Sequence, residues 1–255
     1  MDNINSKQIV LNGLLINYYL NNIEDSKKTI IFIHGWLSES RVWFHLMHAL
    51  TKASYKCFAI DLPGFGQSQV PESSVDNTFY ADIIDQFVKK LNLSNVVLVG
   101  HSNGGAVCVK YLNKDSANVV QLILIDSAGI REQTTTKRIK RFIAEIVRPI
   151  FKFSLLKPLR NKIYRVMGSE DYINSEYLHD TYKNVVNEDI SDLFINVKVP
   201  TLIIWGENDG ATPLRYADFI HSSIEGSQLV VLDTGHFPFQ EKPSEVINEI
   251  ITFIK

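Results

Sequence analysis

Short, fully apolar runs alternate with longer segments whose apolar residues recur every three or four positions. That alternation predicts a mostly parallel twisted sheet flanked by helices, an α/β architecture. The opening departs from it. Gln8–Leu11, then Asn12-Gly13, then Leu14–Tyr19 reads as an antiparallel hairpin, because Asn-Gly suits a type I′ turn. Strands are expected at Thr29–Ile33, Cys57–Ile60, Asn95–Val99, Val119–Ile125, Val199–Trp205 and Gln228–Leu232. Helices are expected around Val42–Lys52, over Asn77–Leu91 and Asn103–Leu112, and in a final segment carrying Val246, Ile247, Ile250, Ile251 and Ile254. Between Gly129 and about Val197 the strand signal stops and only helical patterns remain. The expected division is therefore a core of residues 1–129 and 198–255, with 130–197 inserted as an all-helical cap.

The strand Asn95–Val99 runs straight into Gly100-His101-Ser102-Asn103-Gly104-Gly105 and then a helix. This is G-x-S-x-G in the strand–turn–helix setting that gives the motif meaning. A serine on so sharp a turn needs small neighbours, and three glycines supply them. Its hydroxyl would stand at the carboxyl end of the sheet, beside the free N–H groups of a helix start, where the Asn103 N–H is placed to stabilise an oxyanion. The plainer reading is a glycine-rich turn whose serine caps the helix.

A serine nucleophile needs a histidine base and a carboxylate to orient it. Trp205-Gly206-Glu207-Asn208-Asp209 follows one apolar strand and Gly235-His236 follows the last. Ser102, Asp209 and His236 then fall in the chain order expected of a triad built on such a turn. Competitors exist. His34 lies at a strand end, His101 sits beside the serine as packing support, and His45, His48, His179 and His221 fall in helical or surface stretches. Asp126 also follows a strand, and Glu207 lies close to Asp209.

These segments resemble the α/β-hydrolase superfamily, as serine esterases or lipases with a helical cap. The resemblance covers nearly the whole chain outside the cap. It rests on His34-Gly35-Trp36 after an early strand, Asp61-Leu62-Pro63-Gly64-Phe65-Gly66-Gln67-Ser68, the Ser102 turn, Asp209, and Gly235-His236-Phe237-Pro238-Phe239-Gln240-Glu241-Lys242-Pro243. It implies that the Trp36 backbone N–H is the second oxyanion donor, and that the Asp61–Ser68 loop is structural. A serine nucleophile argues against the aspartate-dependent dehalogenases and epoxide hydrolases of that superfamily. The expected reaction is hydrolysis of a carboxylic ester or similar small acyl substrate, with no metal or organic cofactor. A carbon–carbon bond hydrolase of ring-cleavage products and a non-catalytic small-molecule receptor on the same fold remain alternatives.

Composition adds little. The charged fraction is 21% and the net charge −2, which gives no overall reason to expect nucleic acid. Cys57 and Cys108 sit in apolar surroundings without metal-type spacing, as buried free thiols do. The first residues lack a secretory pattern, and no window approaches the roughly 18 apolar residues of a membrane helix, so a cytoplasmic protein is expected. The charge is uneven, however. Arg131 to Arg165 carries eleven Lys or Arg against two Glu. There Ile139, Phe142, Ile143, Ile146, Val147, Ile150 and Phe151 alternate with Lys137, Arg138, Lys140, Arg141, Arg148 and Lys152, and Pro149 should end or kink the helix. A solvated lid face, an acyl or aromatic substrate pocket under the apolar stripe, and weak contact with an anionic membrane surface are all compatible with that pattern.

Overall fold

A computed structural model of the protein describes residues 4–255 except 22, 25, 27, 116 and 132–178. The basic amphipathic pattern read within 132–165 lies outside the described residues. In chain order the elements are β1 (Ile4–Leu11), β2 (Leu14–Asn21), β3 (Thr29–Ile33), α1 (Phe44–Lys52), β4 (Lys56–Ile60), α2 (Asn77–Lys90), β5 (Val96–His101), α3 (Asn103–Lys114) and β6 (Val119–Ile125). They continue with α4 (His179–Asn187), β7 (Thr201–Gly206), α5 (Arg215–Ser223), β8 (Gln228–Leu232), α6 (Pro238–Glu241) and α7 (Pro243–Ile254). The described residues also include 3₁₀ segments at Ser40–Trp43 and Ser191–Asn196.

The eight strands form one sheet in the order β1-β2-β4-β3-β5-β6-β7-β8. β1, β2 and β4 pair antiparallel, and every pair from β4 to β8 is parallel. The hairpin turn forms as its sequence suggests, with Asn12 at φ 47° and Gly13 at φ 77°. β1 is longer than its apolar pattern, because Ile4 to Gln8 form an edge strand held by ladder bonds to β2 while their side chains stay largely exposed.

Strand side chains alternate between two cores. Ile31, Ile33, Phe58, Leu98, Leu122, Leu124, Ile203 and Trp205 pack with the buried faces of α2, α3 and α5. Ile30, Phe32, Cys57, Val97, Val99, Ile123, Ile125 and Ile204 pack with Leu46, Met47 and Leu50 of α1 and Val246, Ile250 and Ile254 of α7. α2 starts where the Asp76 side chain accepts the Phe79 N–H at 2.9 Å, an N-cap bond. α5 was not expected from the sequence, since only Tyr216, Ala217 and Ile220 of its nine residues are buried. Both cysteines are free and buried, and burial pushes their thiols up. Among the described residues no helix is long and apolar enough to cross a membrane.

Strand order reverses at β3/β5, and in sheets of this kind that switch point opens a crevice at the carboxyl ends of the strands. β5 delivers Ser102 there. α3 must then run back closely beneath β3, and Gly104 makes this approach feasible, since a β-carbon there would collide with the Ile33 carbonyl oxygen. Gly104→Ala is expected to cost about 2 kcal/mol or more in urea unfolding. Gly210→Ala, whose β-carbon would meet nothing within 4 Å, should leave the midpoint nearly unchanged.

Candidate active site

Ser102 sits between β5 and α3 at φ 50°, ψ −120°, a conformation that costs a non-glycine residue on the order of 1–3 kcal/mol. Three hydrogen bonds hold it there. Its N–H donates to Ile125 O at 3.0 Å, and its carbonyl accepts from Gly105 N–H at 3.0 Å and Ala128 N–H at 2.9 Å. The loop after β3 closes over it so tightly that a β-carbon on Gly35 would lie 3.1 Å from Ser102 Cβ. Ser38 N–H donates to Gly35 O at 3.3 Å, closing that turn, with Leu37 at φ 52°. Among the described residues no acceptor engages the backbone N–H of Trp36 inside this turn. Asn103, the first residue of α3, has no carbonyl one turn earlier in its own helix to bond.

The next two strands supply the acid and the imidazole. The Asp209 side chain is fully buried, and four donors surround its carboxylate. Oδ1 accepts from Ala211 N–H at 2.7 Å and Thr212 N–H at 3.0 Å, while Oδ2 accepts from Thr212 Oγ1 at 2.5 Å and His236 Nδ1 at 2.7 Å. Burial by itself would raise this carboxyl, but the bonds from His236 and Thr212 outweigh it and hold the group well below the usual carboxylate range. An ionised Asp209 requires Nδ1 of His236 to carry a proton, which leaves Nε2 as the unprotonated nitrogen of the neutral ring.

The two loops touch through backbone. Asn208 N–H donates to Thr234 O at 3.0 Å, and a β-carbon on Gly206 would collide with the Gly235 carbonyl oxygen. Glu241 accepts from Gly235 N–H at 2.8 Å and Phe237 N–H at 3.3 Å, clamping the residues on either side of His236. His101 then joins this loop to the serine turn, because its Nε2–H donates to His236 O at 2.8 Å. Burial, aided by the neighbouring His236, pushes His101 down to about 3, so it serves as a neutral donor. Its ring rests against Trp43, Phe237 and Phe239.

The other candidates are otherwise engaged. His34 donates from Nδ1 to Gly35 O at 2.7 Å and accepts the Leu62 N–H on Nε2 at 3.0 Å, which leaves neither nitrogen free for a substrate. Asp61 accepts from Ser40, Asn17 and Gln67, so its loop is a strut, as expected. Glu207 is exposed, and His45, His48, His179 and His221 lie on α1, α4 and α5. Asp126 is different. It is fully buried at φ 43°, accepts the Gly206 N–H at 2.9 Å, and presents a carboxyl oxygen within 4.8 Å of Asp209 and His236. Burial pushes it up to about 9, with the adjacent Asp209 adding to the effect and the Gly206 N–H opposing it. Spacing alone would let these three residues hold a metal ion, but the Asp209 oxygens already accept four hydrogen bonds, their full lone-pair capacity.

Sequence reasoning missed Thr212 and Glu241. An Asp-x-x-Thr step after a strand is a local side-chain-to-backbone turn and could have flagged Thr212. Glu241 lay within the quoted histidine segment, but its reach back to Gly235 is visible only in three dimensions.

Residues 28–148 match the family described as alpha/beta hydrolase fold. The chain is 28% identical over 245 residues to the AB hydrolase superfamily protein YisY of Bacillus subtilis, spanning 88% of this chain and 90% of the relative. It is 25% identical to the mouse monoacylglycerol lipase ABHD6 over 257 residues, 89% of this chain and 76% of that one. Among solved structures it resembles an esterase of Exiguobacterium antarcticum with a TM-score of 0.76 at 23% identity, covering 100% of this chain and 99% of the other. The family match spans the strand and turn that carry Ser102, and the likeness in fold extends to the strands that carry Asp209 and His236. The chain has the α/β-hydrolase fold, and its family match lies in residues 28–148.

Proposed function

We propose that this hydrolase is a serine hydrolase acting on a carboxylic ester or similar small acyl substrate, with Ser102 as nucleophile, His236 as base and Asp209 as orienting acid. One observation carries the reading. The 2.7 Å Asp209–His236 bond sits in a loop that His101 ties to the strained turn of Ser102. His236 Nε2 takes the Ser102 proton as the oxygen attacks the carbonyl carbon, and the backbone N–H groups of Trp36 and Asn103 receive the developing oxyanion. The protonated imidazole returns that proton to the leaving alcohol, which leaves an acyl-serine. Water, deprotonated by His236, attacks the acyl carbon, and the proton returns to Ser102 as the acid departs. Residues 130–197 fill the role of a cap, a reading supported by the helical α4 and by the pairing of β6 with β7 on either side of the insertion.

Two buried carboxyls compete for the acid's role, and their environments separate them. Asp209 is ionised by its donors, whereas Asp126 is kept neutral by burial. A neutral carboxyl cannot stabilise an imidazolium by charge, so Asp209 is the acid.

Ser102→Ala should lower hydrolysis of a short-chain chromogenic ester by on the order of 10,000-fold or more and abolish fluorophosphonate labelling. Hydrolysis by the variant at the wild-type rate would overturn the reading, whereas a wild-type protein that neither hydrolyses the ester nor takes the label would favour a binding protein. Asp209→Asn should lose on the order of 10,000-fold in kcat, while Asp126→Asn, whose amide can still accept from Gly206, should lose far less. Asp126 also makes a pH prediction. A carboxyl near 9 in the fold and near 3.9 unfolded binds more protons when folded, so its stabilising effect is complete below about pH 4 and is lost as pH rises toward about 9. Asp126→Asn removes that dependence. Its stability relative to wild type, measured by urea unfolding at pH 5 and pH 8, should improve at the higher pH by up to about 1.4 kcal/mol per unit.

A further inference from the structure

Beyond the triad, a cation on a loop that starts at Ser102 has no ion-pair partner among the described residues. The loop leaving β6 begins at the nucleophile, since Ala128 N–H bonds the Ser102 carbonyl, and it is fixed again where Gly129 O accepts the Ile190 N–H at 2.8 Å. Arg131 lies three residues beyond Ala128, so its Cα is within about 10 Å of that anchor even in an extended chain. Its Nε is buried without a hydrogen-bond partner. Among the described residues, Tyr216 of α5, Tyr182 of α4 and Asp189 act on its charge. Asp189 is exposed, and its carboxylate already accepts the Ser191 N–H at 3.0 Å. Among the described residues no carboxylate stands within ion-pair distance of Arg131.

Tyr182 also neighbours a second orphan. The Tyr182 ring lies 5.5 Å from the Trp36 indole, whose Nε1–H is also buried without a partner. Trp36 follows Gly35, the residue pressed against Ser102. Two buried donors without hydrogen-bond partners, one of them charged, thus lie near one tyrosine on loops that both touch Ser102. Buried groups of this kind are expensive unless something pairs with them, and an unpaired charge is the costliest.

We propose that Arg131, with the Trp36 indole N–H, receives an anionic oxygen group of the substrate, a carboxylate or a phosphate set apart from the ester that Ser102 attacks. The proposal rests on the serine-hydrolase reading above and names its substrate class as acidic esters. The planar guanidinium fork suits two oxygens at once, and the indole supplies one further N–H.

Two nearly isosteric esters test it, mono(4-nitrophenyl) glutarate and 4-nitrophenyl pentanoate. The wild-type enzyme should favour the anionic ester by about 10-fold or more in kcat/KM, as expected for a charge-assisted hydrogen bond. In Arg131→Gln that ratio should fall toward unity, whereas a purely structural role would lower both rates together and leave the ratio unchanged. Inhibition by glutarate identifies a carboxylate site, and inhibition by inorganic phosphate identifies a phosphate site. Binding is read separately in Ser102→Ala protein, where either anion should raise the thermal midpoint unless Arg131→Gln is also present. If neither ester is hydrolysed and fluorophosphonate does not label Ser102, the serine-hydrolase reading fails while the midpoint shift still decides the anion site. A ratio unaltered in Arg131→Gln, together with no anion-induced shift, would overturn the proposal.

Discussion

A non-glycine residue at φ 50° and ψ −120° persists only while its surroundings leave the backbone no alternative. At Ser102 the surroundings come from everywhere. β6 receives its N–H through Ile125, the loop beyond β6 donates to its carbonyl through Ala128, and α3 begins immediately after it. The cost is local, but the restraint is distributed over the central strands. This explains why glycines cluster where β3, β5 and α3 meet, because a side chain there would push apart the pieces that hold the turn.

The histidine loop depends on the same turn through a single side chain. His101 has its ring in the aromatic nest of Trp43, Phe237 and Phe239, and its Nε2–H on the carbonyl of His236. A charged imidazole could not be kept in so apolar a place, and burial ensures that it stays neutral. The same physics, applied to two carboxyls within 4.8 Å of one another, yields opposite outcomes. Asp209 collects four donors and stays ionised, whereas Asp126 receives the Gly206 N–H and is driven to its protonated form.

Much of this was legible in the sequence. The strand runs from Thr29 to Leu232 are continuous and apolar, so they announce a sheet buried on both faces, and the Gly100–Gly105 turn follows directly from one of them. Asp209 and His236 could be named because each sits just past a strand end, a position that periodicity marks. What stayed hidden depends on distance in space. β1 is held by ladder bonds rather than by an apolar face, and α5 buries too few residues to show a helical stripe. Thr212 matters because its hydroxyl reaches Asp209 Oδ2, and Asp126 because its carboxyl is enclosed beside another. Neither enclosure nor the protonation state it produces can be read from residue spacing.

β6 and β7 lie side by side, with Leu122 opposite Thr201 and Ile125 opposite Ile204. The chain therefore departs from the sheet and rejoins it at neighbouring positions, however long its excursion. Closing a loop grows costlier only with the logarithm of its length, by about 0.6 kcal/mol for each doubling. The ends of the excursion are also fixed independently of its middle, through Ala128 on Ser102 at one side and Leu122 N–H on Pro200 O at the other. The excursion between β6 and β7 is thus mechanically separable from the sheet it leaves. Its length and sequence can change without altering the register of any strand.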